Sequence, residues 1–124
     1  MNNKGQSLVI FILLIPVIFL IFAFIYDYSV YKIKKQELEN ITKEILVSTL
    51  KSNDNDKEKT VEELYKLNGL DINNLIVNYN GKELIITYEY STNVLLDKII
   101  NINYGKIKIN MIAVNENNDI IIKE

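Results

Sequence analysis

The chain passes from one hydropathy pattern to another, and each change of pattern marks a change of element. Residues 6–26 read QSLVIFILLIPVIFLIFAFIY with no charge. At about 1.5 Å per residue, this run of about 20 residues matches the roughly 30 Å hydrocarbon thickness of a bilayer, so it predicts a transmembrane helix. Pro16 stands in its middle and removes one backbone hydrogen bond, which predicts a bend of the kind membrane helices tolerate. Tyr26, Tyr28 and Tyr31 follow directly, and amphipathic rings favour the headgroup level, so the far interface is expected beside them. A secretory signal peptide would have a shorter apolar core and an Ala-x-Ala-like site, whereas the only alanine nearby, Ala23, lies inside the run.

From residue 17 to residue 53 no Gly or Pro interrupts the chain, so the membrane helix is expected to continue into a stalk ending near Lys51. Val30, Ile33, Leu38, Ile41 and Ile45 fall within an arc of about 140° on a helical wheel, with Lys34 and Glu37 interrupting the stripe. Leu46, Val47 and Leu50 then widen the apolar surface, which predicts a stalk half-exposed near the membrane and buried under its own domain farther on. A polar linker, residues 52–59, precedes Thr60-Val61-Glu62-Glu63, which has the form of a capping box. That box would open a short helix running to about Asn68 and stopped by Gly69, with Glu62 and Glu63 in the first turn facing the helix dipole. Asp54, Asp56 and Glu58 have the alternate spacing of a calcium loop, but Lys59 stands where its glycine is needed and Tyr65 where its glutamate is. A solvated linker is the better reading. Asn40-Ile41-Thr42 matches the glycosylation acceptor but falls in mid-helix rather than on a loop.

Beyond Leu75 the period becomes two. Leu75, Val77 and Tyr79 stand at alternate positions, Asn80-Gly81 is a strong hairpin signal, and Leu84, Ile86, Tyr88 and Tyr90 alternate on the return. A two-residue turn at Asn80-Gly81 would set Val77 opposite Leu84 and Leu75 opposite Ile86, giving one apolar face to pack on the stalk. Val94, Leu95, Leu96, Ile99 and Ile100 fit either a short helix, which is preferred, or an irregular crossover. After Asn103-Tyr104-Gly105, the residues Ile107, Ile109, Met111 and Ala113 alternate again. Asn117-Asn118-Asp119 then turns the chain into a last strand, residues 120–123. The fold class expected is α+β: a long N-terminal helix, transmembrane plus stalk, packed on a small antiparallel sheet of about four strands. The expected divisions are a leader at 1–5, a transmembrane helix at 6–27, a stalk at 28–52 and an outer domain at 53–124.

Composition narrows the chemistry. With no His, no Cys and no Arg, the chain lacks the usual catalytic base, any thiolate and any disulfide, so no catalytic residue, metal site or cofactor is expected. A net charge of −2, from 14 basic against 16 acidic residues, gives no basic footprint for nucleic acid. No small-molecule substrate is indicated. The richness in Asn, Ile and Lys reads as compositional bias. Orientation is ambiguous on charge: Lys4 precedes the span while Lys32, Lys34 and Lys35 follow it, so the positive-inside rule counted alone points the domain inward.

The residues Lys4-Gly5-Gln6-Ser7-Leu8-Val9-Ile10-Phe11-Ile12-Leu13-Leu14-Ile15-Pro16 resemble the head of TadE-like minor pilins, a branch of the type IV pilin-like proteins. In that family a basic residue and Gly precede a short stretch, usually ending in Glu-Phe, and a Pro stands five residues after the Phe, as Pro16 does after Phe11. The resemblance covers the first 50 or so residues, and the tail from Leu84 onward also looks like the family's closing strands. It implies cleavage after Gly5 by a prepilin peptidase, leaving Gln6 first, with the head cytoplasmic and the domain outside the cell membrane. Sister pilin subunits and the pilus assembly machinery would be the partners, and a cell-surface filament the product. The chain departs from the pattern at Ile10, where the family has Glu. A carboxylate buried among apolar helices needs a partner, which it finds in a neighbour's N-terminal amine. Its loss here fits either a tip position, where no neighbour stands above, or drift. The other function classes are a stably anchored scaffold or sensory protein and, least supported, a hydrolase using paired carboxylates.

Overall fold

The computed structural model describes residues 3–100 and 105–124. Helix α1 runs Asn3–Lys51, α2 Lys57–Leu67 and α3 Leu95–Ile100; the strands are β1 Leu75–Tyr79, β2 Glu83–Ser91, β3 Lys106–Glu116 and β4 Asp119–Lys123. The strands form one antiparallel sheet in the order β1-β2-β3-β4. The fold is thus α+β, a 49-residue helix packed on a four-stranded sheet, as the change of period implied. The bend expected at Pro16 does not end the helix, which remains one element through that residue. The reading of Asn103 and Tyr104 lies outside the described residues.

One core joins the second half of α1 to the sheet. Leu38, Ile45 and Leu46 of α1 and Val61 and Tyr65 of α2 meet Leu84, Ile86 and Tyr88 of β2 and Ile107, Ile109, Met111 and Ala113 of β3. The α1 stripe is shifted from the one that apolarity alone suggested: Leu38 and Ile45 are in the core and Val30 and Ile41 are half-buried, but the centre of the buried face lies toward polar positions. Asp27, Tyr31, Lys34, Leu38, Thr42, Ile45 and Thr49 recur at steps of three and four and lie within an arc of about 80°. All of them are buried or half-buried, whereas Ile33 is 67% exposed. Two polar members of this stripe, Thr42 and Lys34, meet tyrosines of the domain. Thr42 Oγ1 and the Tyr65 hydroxyl share a 2.6 Å hydrogen bond, and Lys34 Nζ lies 5.1 Å from the Tyr90 ring centroid.

Two local expectations are corrected. Thr60 does not cap α2: the cap is Asp56, whose Oδ1 accepts from Lys59 N at 3.1 Å, and Thr60 sits inside the first turn with its hydroxyl on Asp56 O. A carboxylate is the stronger acceptor at the dipole's positive end. The earlier start also lets Lys57 Nζ donate to the Thr49 and Ser52 carbonyls at the end of α1. Glu62 and Glu63 consequently lie beyond the first turn, where Glu58 is the acidic residue. The C-terminus is as expected: Gly69 has φ +74°, Gly69 N donates to Lys66 O and Leu70 N to Tyr65 O, a Schellman closure.

The hairpin register differs by two residues. Val77 pairs with Ile86 and Leu75 with Tyr88. Gly81, at φ +91°, takes the first central position of the turn, with Asn80 N bonded to Glu83 O and Asn80 Oδ1 accepting from Lys82 and Glu83. A glycine in that place is what a II′ turn requires, so the central pair is Gly81-Lys82. A slip of two preserves which side chains face the core, so the apolar face survives. The second hairpin turns at Asn117 and Asn118, both with positive φ (51° and 67°), and α3 takes the short-helix alternative.

Candidate membrane surface and its junction with the domain

α1 falls into two physically different halves. Every side chain from residue 7 to residue 26 is exposed except Ala23, which is half-buried, and the most apolar window has no residue buried inside the molecule. A core helix of a water-soluble protein of this hydropathy would be covered by its own chain. Here the domain leaves a contiguous apolar surface bare, far more than a soluble monomer exposes. The helix is long and apolar enough to cross a membrane.

The residues singled out in the head all lie on this bare helix. Gly5 and Gln6 are exposed in its first turns, and a Cβ added at Gly5 would meet nothing within 4 Å. Ile10 and Phe11 are exposed (58% and 62%), as is Pro16, so the structure brings none of the five against the domain. They are available only to something outside the chain. Around the linker, Asp54, Asp56 and Glu58 have structural duties. Asp54 Oδ2 accepts from Thr60, Asp56 caps α2, and Glu58 Oε1 accepts from Tyr79 N at 3.4 Å. Among the described residues no three acidic side chains gather as a metal would require.

The junction is built on a residue that hydropathy treated as a mere boundary. Asp27, the first charge after the apolar run, is fully buried, and its carboxylate accepts from Leu95 N at 2.7 Å and Leu96 N at 2.8 Å. It therefore caps α3 from across the fold, satisfying two backbone donors that a helix start leaves open. Paired charge-assisted bonds of this kind offset the desolvation of a buried carboxylate. The signal in the sequence was its register: Asp27 stands 4, 11 and 18 residues before Tyr31, Leu38 and Ile45, on the face that enters the core. Above it, Tyr28, Tyr31, Lys32, Lys35, Gln36 and Glu39 line an open groove on the stalk.

Deeper in the domain, burial pushes the Tyr65 hydroxyl up to about 12, opposed by the Thr42 bond and reinforced by Tyr88, whose ring centroid is 5.1 Å away. Burial also raises Tyr88, with Asp71 and Tyr90 adding to the effect. Both rings serve the core. No family model, curated protein or solved structure matches this chain.

Proposed function

We propose that this chain is a minor pilin or pseudopilin subunit. It is inserted in the cell membrane with its head cytoplasmic, cleaved after Gly5 by a prepilin peptidase, and assembled into a Tad or type IV-like surface filament. The observation that carries the reading is the combination of the Lys4-Gly5 head with an apolar helix that its own domain leaves bare from residue 7 to residue 26. Such a helix can exchange lipid for a bundle of like helices. Since both surroundings are apolar, close packing rather than expulsion from water must hold the bundle. The α+β domain, carried on the same helix, would then form the filament's outer surface.

Intact-mass measurement of the protein recovered from membranes tests the reading. Loss of residues 1–5 only when a prepilin peptidase is present is the expected result, and a chain still starting at Met1 in its presence overturns it.

Ile10 favours a second reading, a single-pass scaffold or sensory protein that never polymerises, because an exposed isoleucine offers no charge to pair with a neighbour's amine. Within the pilin reading the same residue suits a filament end. Ile10→Glu separates the two: a change in the amount or position of the protein in sheared filaments supports the tip, and its absence from filaments in both forms supports the scaffold.

A further inference from the structure

The placement of α3 is settled by Asp27. Because Leu95 N and Leu96 N both bond to that one carboxylate, the start of α3 is held against α1 one residue beyond Tyr26. If residues 7–26 fill the hydrocarbon thickness, Asp27 lies about 1.5 Å beyond its edge. The whole of α3 is about 9 Å long, comparable to the roughly 5–8 Å depth of the headgroup zone. Val94 and Leu96 turn into the domain and are buried, whereas Leu95 and Ile99, four residues apart and so on one face, are 48% and 69% exposed. Lys98 beside them is also exposed. Tyr26 and Tyr28, on either side of Asp27 in α1, are also exposed (58% and 56%), so exposed apolar and aromatic side chains stand on both elements where α3 meets the end of the bare helix.

We propose that α3 is a membrane-contacting lip: Leu95 and Ile99 enter the headgroup and upper acyl region of the bilayer beside α1. The occupant is lipid because α3 is held directly beside the end of the bare span, by the bonds of Leu95 N and Leu96 N to Asp27, and carries or adjoins the features a headgroup zone selects. These are tyrosine rings on α1 and, on α3, a lysine whose stem can lie along apolar surface while its ammonium reaches phosphate. The lip gives the helix a second point of support, so the domain rests on the bilayer in one pose rather than swinging on a single stalk. This inference rests on the membrane-inserted reading of α1.

The chain has no cysteine, so single labelling sites report cleanly. Full-length protein carrying Ile99→Cys, Phe19→Cys or Leu67→Cys, each labelled with bimane, is reconstituted in phosphatidylcholine vesicles containing a lipid with a nitroxide on the upper acyl chain. All three positions are exposed in the chain itself. The label at position 99 is expected to be quenched by the lipid nitroxide, and its quenching by aqueous iodide should be at least about threefold weaker than at position 67. Lipid quenching at 19 but free iodide access at 99 overturns the lip and leaves the span standing. Iodide access at both overturns the span and the lip together. Shielding from iodide at 99 without lipid quenching means that protein covers α3, which also overturns the lip.

Discussion

The two halves of α1 invert the usual relation between composition and burial. Residues 7–26 are almost wholly apolar and bare; residues 27–51 carry Asp27, Thr42 and Thr49, and these polar side chains are fully buried. In a soluble domain the apolar half would be the core. The difference teaches that hydropathy reports which solvent a segment suits, whereas burial within the chain reports which partner it has. The first half meets no covering partner among the described residues of its own chain, and the second half meets its partners in the sheet and in α2 and α3. Two of these three polar groups meet a specific group, Asp27 the α3 donors and Thr42 the Tyr65 hydroxyl, whereas the Thr49 hydroxyl meets none among the described residues.

The sharpest way to break this comparison is a pair of equivalent truncations. Leu46→Ala, at a fully buried site, should cost the domain about 2–5 kcal/mol, while Phe19→Ala should leave its stability unchanged. Urea unfolding in detergent micelles, followed by tyrosine near-ultraviolet circular dichroism, measures both. A comparable loss from Phe19→Ala would mean that the apolar half packs on the domain after all.

Next in size comes the alkaline limb of stability. Tyr65 is neutral in both states below its ordinary value near 10. Between about 10 and 12 it ionises in the unfolded chain before the folded one, so stability falls by about 1.4 kcal/mol per pH unit across that window. In Tyr65→Phe this limb should flatten, leaving the part that Tyr88 contributes through its own raised value. Unfolding curves at successive pH values for the two proteins give the comparison directly.

Asp27→Ala should cost about 1–3 kcal/mol, because it strips two backbone donors of their acceptor. Asp27→Asn, which keeps one acceptor oxygen, should cost less. Amide exchange at Leu95 and Leu96 should accelerate in Asp27→Ala with little change in β2. Equal acceleration throughout the sheet would place Asp27 in the global core rather than at a local clasp.

The smallest effect is expected at Thr49, whose buried hydroxyl has no hydrogen-bond partner among the described residues. Replacing it by the isosteric Thr49→Val removes a desolvated polar group and should leave stability unchanged or raise it by up to about 1 kcal/mol. A clear loss of stability would show that the hydroxyl is engaged by solvent or by a partner surface.

Much of the architecture was legible because it follows from local rules. The apolar run is visible from hydration alone, strand alternation is a consequence of the pleat, and Gly69 and Asn117-Asn118 mark positions where the backbone must turn to positive φ. The misreadings at Thr60 and at the hairpin arose where two neighbouring sites offered nearly the same local chemistry. Asp56 and Thr60 both resemble caps, and Asn80-Gly81 and Gly81-Lys82 both resemble turn centres. Contacts reaching across the fold are consistent with the outcomes seen, Lys57 on the end of α1 and the pairing of β2 with both β1 and β3.

The sequence by itself therefore determined that an apolar helix leads an α+β domain, because period and hydropathy are properties of consecutive residues. Only the tertiary structure decided which face of the stalk enters the core. That choice depends on contacts distant in sequence: the partners of Thr42 and Asp27 stand 23 residues from the first and 68 and 69 from the second. A carboxylate at the edge of an apolar run looks like the place where the membrane stops. Its bonds to Leu95 and Leu96 make it the place where the domain begins to be held.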